Sequence, residues 1–80
     1  MVRWVFRRDG RAITCEVEVH GTQSYDVTLI PHWDASGAVT ERFDRPIPAM
    51  ERHASIARSL RDRGWAVVDH AIPHYVGIAA

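Results

Sequence analysis

The run VRWVFRRDGRAITCEVEV, residues 2–19, decides the fold. Before Asp9-Gly10, Val2, Trp4 and Phe6 alternate with Arg3, Val5 and Arg7; after it, Ile13, Cys15, Val17 and Val19 alternate with Thr14, Glu16 and Glu18. A period of two sends successive side chains to opposite faces of a strand. Asp-Gly suits a two-residue type I′ turn because both central positions take positive φ. The turn sets the register: Phe6 opposite Ile13, Trp4 opposite Cys15 and Val2 opposite Val17 on an apolar side, with Arg3 opposite Glu16 on a polar side. That apolar side must be covered by a second layer.

Working outward, Gly21-Thr22 marks a second turn. A three-residue loop over 21–23 sets Val19 against Tyr25 and Val17 against Val27, whereas a two-residue loop would set Val19 against Ser24. Tyr25, Val27 and Leu29 alternate with Asp26, Thr28 and Ile30 until Pro31, which cannot donate to a ladder. Asp34-Ala35-Ser36-Gly37 is a third turn signal, with Asp at its start and Gly at its end, leading to a fourth strand around Val39 to Phe43.

The covering layer comes next. The segment 45–48 is expected to be extended, since a residue before proline avoids the α region, and Pro48 then suits the first position of a helix over 48–63. Its N-cap, Ile47, offers no side-chain oxygen. At 100° per residue Ala49, His53, Ile56, Ala57 and Leu60 share one side with Met50 at its margin, and Arg52, Ser55, Arg58, Ser59, Asp62 and Arg63 occupy the other. Gly64 stands where a left-handed residue ends a helix, and Trp65 can contact Leu60, as in a Schellman ending. Residues 65–70 read as a fifth strand that Pro73 stops. The expected fold is a two-layer α+β domain over residues 1–80, β-β-β-β-α-β along the chain, in which one amphipathic helix packs on one face of an antiparallel sheet. Residues 73–80 form a tail outside the core pattern.

Eighty residues hold one core and leave no room for a second domain. Ten arginines, no lysine and ten acidic residues give zero formal charge, which removes the broad attraction that polyanion and anionic-membrane binders rely on. Arginine without lysine in an Ala- and Val-rich chain is the expected mark of a GC-rich bacterial genome. Cys15 alone cannot form an internal disulfide, the first residues carry Arg3, Arg7 and Arg8 without an apolar leader, and no apolar run approaches the about 18 residues of a membrane span. A cytoplasmic protein with no membrane partner is the default expectation.

The chemistry-bearing residues are few. His53 interrupts the apolar helix stripe and needs a hydrogen-bond partner or a lowered pKa, so it is expected to be structural. Cys15 shares the interior side with Trp4 and Val17; a thiol among large apolar neighbours is inert unless His53 activates it. His70 and His74 have an HxxxH spacing, but Pro73 argues against the helix that would bring them together. In an extended chain they lie about 13 Å apart, and His20 and His32 sit at strand ends. No cofactor, metal or catalytic constellation is expected.

Arg3, Arg7, Arg8 and Arg11 make the first hairpin basic against Asp9 and offer contacts to single-stranded nucleic acid. That reading is disfavoured, because Trp4, Phe6 and Tyr25 fall on the buried alternation and the outer face, with Arg3, Arg7, Thr14, Glu16, Asp26 and Thr28, reads as solvated. Trp33 and Tyr75 lack a place in the core pattern and are candidate partner-binding residues. The leading expectation is a non-enzymatic module that binds an unknown protein partner or a second copy of itself, as a homodimer. The alternative is nucleic-acid binding through the basic hairpin.

Overall fold

A computed structural model describes residues 2–71. Strands β1 (Val2–Arg8) and β2 (Arg11–His20) turn through Asp9 and Gly10, whose φ angles of 50° and 79° are those of the type I′ turn. The register follows from it: Phe6 pairs with Ile13, Trp4 with Cys15, Val2 with Val17 and Arg3 with Glu16. A three-residue turn with Gly21 at φ 64° then brings β3 (Ser24–Pro31) back, with Val19 against Tyr25 and Val17 against Val27. A 3-10 turn at Ala35–Gly37 leads to β4 (Val39–Phe43), which pairs with β3 through Tyr25–Phe43 and Leu29–Val39.

Helix α1 (Pro46–Asp62) follows, and β5 (Ala66–Ala71) then joins the far edge beside β1, giving the antiparallel order β4-β3-β2-β1-β5. The helix must therefore cross the sheet from edge to edge. Five strands at about 4.8 Å spacing are about 19 Å from first to last, and 17 residues of helix reach about 25 Å. Arg52 Nε donates to Glu41 Oε1 at 2.7 Å, tying the helix to β4. Its inner stripe is Ala49, His53, Ala57 and Leu60, closed over Phe6, Cys15, Val17 and Val27. The two alanines let the helix backbone approach the sheet closely, while Ile56 and Met50 pack at its margin.

Two boundaries differ from expectation. The helix begins at Pro46 rather than Pro48, with an extended Arg45 as N-cap and no side-chain cap. First-turn N–H groups have no intrahelical acceptor, so prolines at 46 and 48 both fit there. The fifth strand begins at Ala66 rather than Trp65, because the Trp65 amide donates back to the Leu60 carbonyl at 3.0 Å. Gly64, at φ 92°, donates to Arg61 at 3.0 Å, completing the Schellman ending.

The outer face of the sheet is less solvated than expected. Thr14 and Asp26, both on it, are only 4% and 7% exposed. His32 folds over Thr14, and Arg42 and His20 enclose Asp26.

Candidate functional site

The structure gathers polar groups that have no acidic partner among the described residues at the rim of the sheet beside the β1–β2 turn. Pro31 ends β3, yet the His32 amide still donates to the Ala12 carbonyl at 2.9 Å, which carries the β-register one residue further. Arg7, Ala12 and His32 then form one row on the outer face. His32 Nε2 lies 2.6 Å from Thr14 Oγ1, so the ring is held from behind. Trp33, one residue on, stacks against Trp65 with ring centres 6.2 Å apart and planes 17° from parallel. The Arg11 guanidinium lies 5.0 Å from the Trp33 ring centre, within cation–π range. Trp33 therefore closes the open end of the core with one face and carries a cation near its ring, while remaining 49% exposed.

Arg7, Gly10, Arg11, Ala12, His32 and Trp33 line a cleft of about 280 Å³. No carboxylate of the described residues lines it. Arg7 is flanked across the sheet by Ala12 on β2 and Ala66 on β5, two side chains too short to pair with it. Among the described residues neither Arg7 nor Arg11 has an acidic partner.

The four hairpin arginines do not form one patch. Arg8 Nε lies 3.6 Å from Asp9 Oδ2 and packs beside Gly64, where an added Cβ would come within 3.3 Å of it. Arg3 sits near the other end of β1, between Glu16 and Ala71. Only Arg7 and Arg11 share the cleft. Tyr75 and His74 lie outside the described residues.

The far half of the outer face is built from similar residues and is paired. Arg42 grips Asp26 with Nε at 2.8 Å from Oδ1 and a second guanidinium nitrogen at 3.0 Å from Oδ2, and His20 Nε2 approaches Oδ2 at 3.4 Å. The Arg42 hydrogen bonds hold the Asp26 carboxyl below its ordinary pKa, against the opposing effect of desolvation.

His53 is 4% exposed and donates Nε2–H to the Cys15 carbonyl at 3.3 Å, with its ring edge-on to Trp4 at 5.4 Å. Burial lowers its pKa and the Cys15 carbonyl partly opposes the shift. The partner is the Cys15 backbone, and desolvation pushes the Cys15 thiol up to about 12. A protonated thiol is no nucleophile, so the two residues are structural neighbours. His53 also borders an apolar cleft of about 260 Å³ with Val2, Trp4, Met50 and Ala57, and Arg58 stands at its margin.

Among the described residues no group of three metal-ligating side chains is clustered, and no helix is long and apolar enough to cross a membrane. His70 lies in β5, so the HxxxH spacing does not fall on a helix. Two elements of the rim escape sequence reasoning: the role of His32 and the partnership of Trp33 with Trp65. The Schellman ending places Trp65 at a helix end, but only the strand order shows that this end meets Trp33. No family model, curated protein or solved structure matches the chain.

Proposed function

We propose that this chain is a non-enzymatic interaction module that docks a protein partner through the rim at Trp33. The observation that carries the reading is the half-exposed Trp33, stacked on Trp65 and within cation–π range of Arg11, beside a cleft that no carboxylate of the described residues lines. A rigid aromatic next to arginine is the composition that dominates interface energetics. The Cys15 thiol held up at about 12 supports a non-catalytic role.

Extending the sheet is the weaker route to a partner or to a homodimer. Strand β4 has five residues, with Glu41 and Arg42 among them, and β5 carries an irregularity where Phe6 pairs with Val67 and Val5 with Asp69, leaving Val68 unmatched. Shortness, charge and bulging are the usual devices that blunt an edge. Nucleic-acid binding draws on Arg7 and Arg11 but has in Trp33 one half-exposed ring that already contacts Trp65 and Arg11, whereas single strands are held by a series of aromatics on which successive bases stack.

The test combines light scattering at about 0.5 mM, in the range of weak self-association, with NMR titration of acidic, basic and neutral peptides. The expected result is a monomer whose Trp33 and Trp65 indole signals move with acidic peptides. A dimer whose interface contains Trp33 keeps the reading with the chain as its own partner. A monomer whose rim signals respond to none of the peptides overturns it.

A further inference from the structure

We propose that the cleft between Arg7, Arg11 and His32 takes one phosphate monoester dianion carried on a side chain of the docking partner; this rests on the rim being the docking surface. Two guanidinium groups and an imidazole line the cleft and no acidic side chain of the described residues does, in a chain that has ten. Its base is Ala12, which adds only a methyl group, and a Cβ at Gly10 would meet nothing within 4 Å. The space is open and cationic.

The donors are held in place before a ligand arrives. Trp33 keeps the Arg11 guanidinium near its ring, and a guanidinium resting on an aromatic surface leaves its N–H edges free for oxygens. Thr14, itself 4% exposed, fixes His32 through Nε2; when its hydroxyl donates there, the imidazole proton sits on Nδ1 and remains to be donated. Arg7, flanked by alanines, has no competing partner among the described residues.

The number and kind of these groups choose the anion. A carboxylate is satisfied by one bidentate guanidinium, whereas a monoester dianion presents three acceptor oxygens and matches two guanidinia and an imidazole. A volume of about 280 Å³ suits a head group with the first atoms behind it, being just below the about 300 Å³ of sites for whole small ligands. A nucleic-acid backbone fits poorly. The next arginine on the outer face of β1 is Arg3, about 13 Å away, with Val5 between them paired to Thr14 and Asp69. Beyond His32 the outer face turns to Glu16 and Glu18, which would repel a second phosphate, and to Asp26, whose bonds already occupy Arg42.

The experiment is a titration of the ¹⁵N-labelled chain at fixed ionic strength in chloride with four probes: a phosphoserine peptide, its serine counterpart, inorganic phosphate, and a mixed-sequence single-stranded oligonucleotide. The phosphoserine peptide should shift the Arg7, Arg11, His32 and Trp33 signals saturably, at least tenfold more tightly than the serine peptide or inorganic phosphate. Arg7→Gln and Arg11→Gln should each weaken it at least tenfold with the melting temperature little changed, and Arg58→Gln should leave it unaltered. Equal shifts by both peptides keep the docking surface and overturn the phosphate. Inorganic phosphate binding as tightly as the phosphopeptide overturns the partner as its carrier, and a tighter oligonucleotide overturns the monoester. If no probe moves the rim, both this assignment and the docking surface fall.

Discussion

The two halves of the outer sheet face use the same residue types to opposite ends. Around Asp26, an arginine and a histidine converge on a buried carboxylate, and Arg42 is held by two hydrogen bonds. Around Ala12, two arginines and a histidine line a cleft, and among the described residues no carboxylate does. One half is a closed network that holds β3 to β4; the other is a set of donors awaiting an acceptor. Charge balance over the whole chain conceals this, because a zero sum says nothing about which charges meet.

The comparison has a shared foundation in the core, and the largest expected effect lies there. Leu60→Ala should cost about 2 to 5 kcal/mol in denaturant unfolding, because Leu60 is buried over the sheet beside Ala57 and Ile13. Both halves of the outer face should be lost together. A loss below about 1 kcal/mol, the size of an ordinary surface change, would show that α1 does not hold the sheet.

Next in size is the paired half. Asp26→Asn should lower the melting temperature at neutral pH, since it leaves Arg42 and His20 facing a neutral amide. The wild-type carboxyl is depressed below its ordinary value of 3.8, so its contribution is present above that pH and is lost as pH falls through the native pKa. Melting curves from neutral pH into strong acid should therefore converge for the two proteins. Curves that stay parallel would mean the Arg42 pair is not stabilising.

A smaller effect belongs to the histidine beneath the sheet. His53 titrates below 6.5 in the native state because it is desolvated. The unfolded chain binds the proton first, so stability should be full above about 6.5 and fall as pH drops from there toward the native pKa. His53→Leu should flatten this segment of the stability–pH curve. An unchanged slope would place its origin elsewhere.

The smallest effect sharpens the contrast most. Arg7→Ala should change stability by less than about 0.5 kcal/mol in denaturant unfolding, as expected of an exposed side chain with no partner among the described residues, whereas Arg42→Ala should be clearly destabilising. A destabilising Arg7→Ala would show that the rim is also an internal network.

Much of the fold was legible because its signals are local. Asp9-Gly10 determines φ at two adjacent residues, and alternation on both sides then determines a register of seven pairs. Gly64 and the stripe through Ala49, His53, Ala57 and Leu60 determine the helix end and its buried side in the same way. The helix start was misplaced by two residues because prolines at 46 and 48 are both compatible with a first turn. Burial of His53 was readable from the stripe, but the atom that accepts its proton was not.

What the sequence by itself determined is the set of elements, the register of the first three strands and the face each side chain takes. These depend on the sign of φ and on periods of two and 3.6, which neighbouring residues impose on one another. Only the tertiary structure decided that β5 lies beside β1, that Trp65 meets Trp33, that His32 reaches Thr14 18 residues away, and that Asp26 meets Arg42 16 residues away. The first two join segments that no local period relates, and the last two need side chains to reach across a ladder that the period only aligns. The placement of β5 and of Trp65 follows from the helix crossing the whole sheet, which carries β5 to the far edge, and the contacts of His32 and Asp26 follow from side chains meeting across the β2–β3 and β3–β4 ladders.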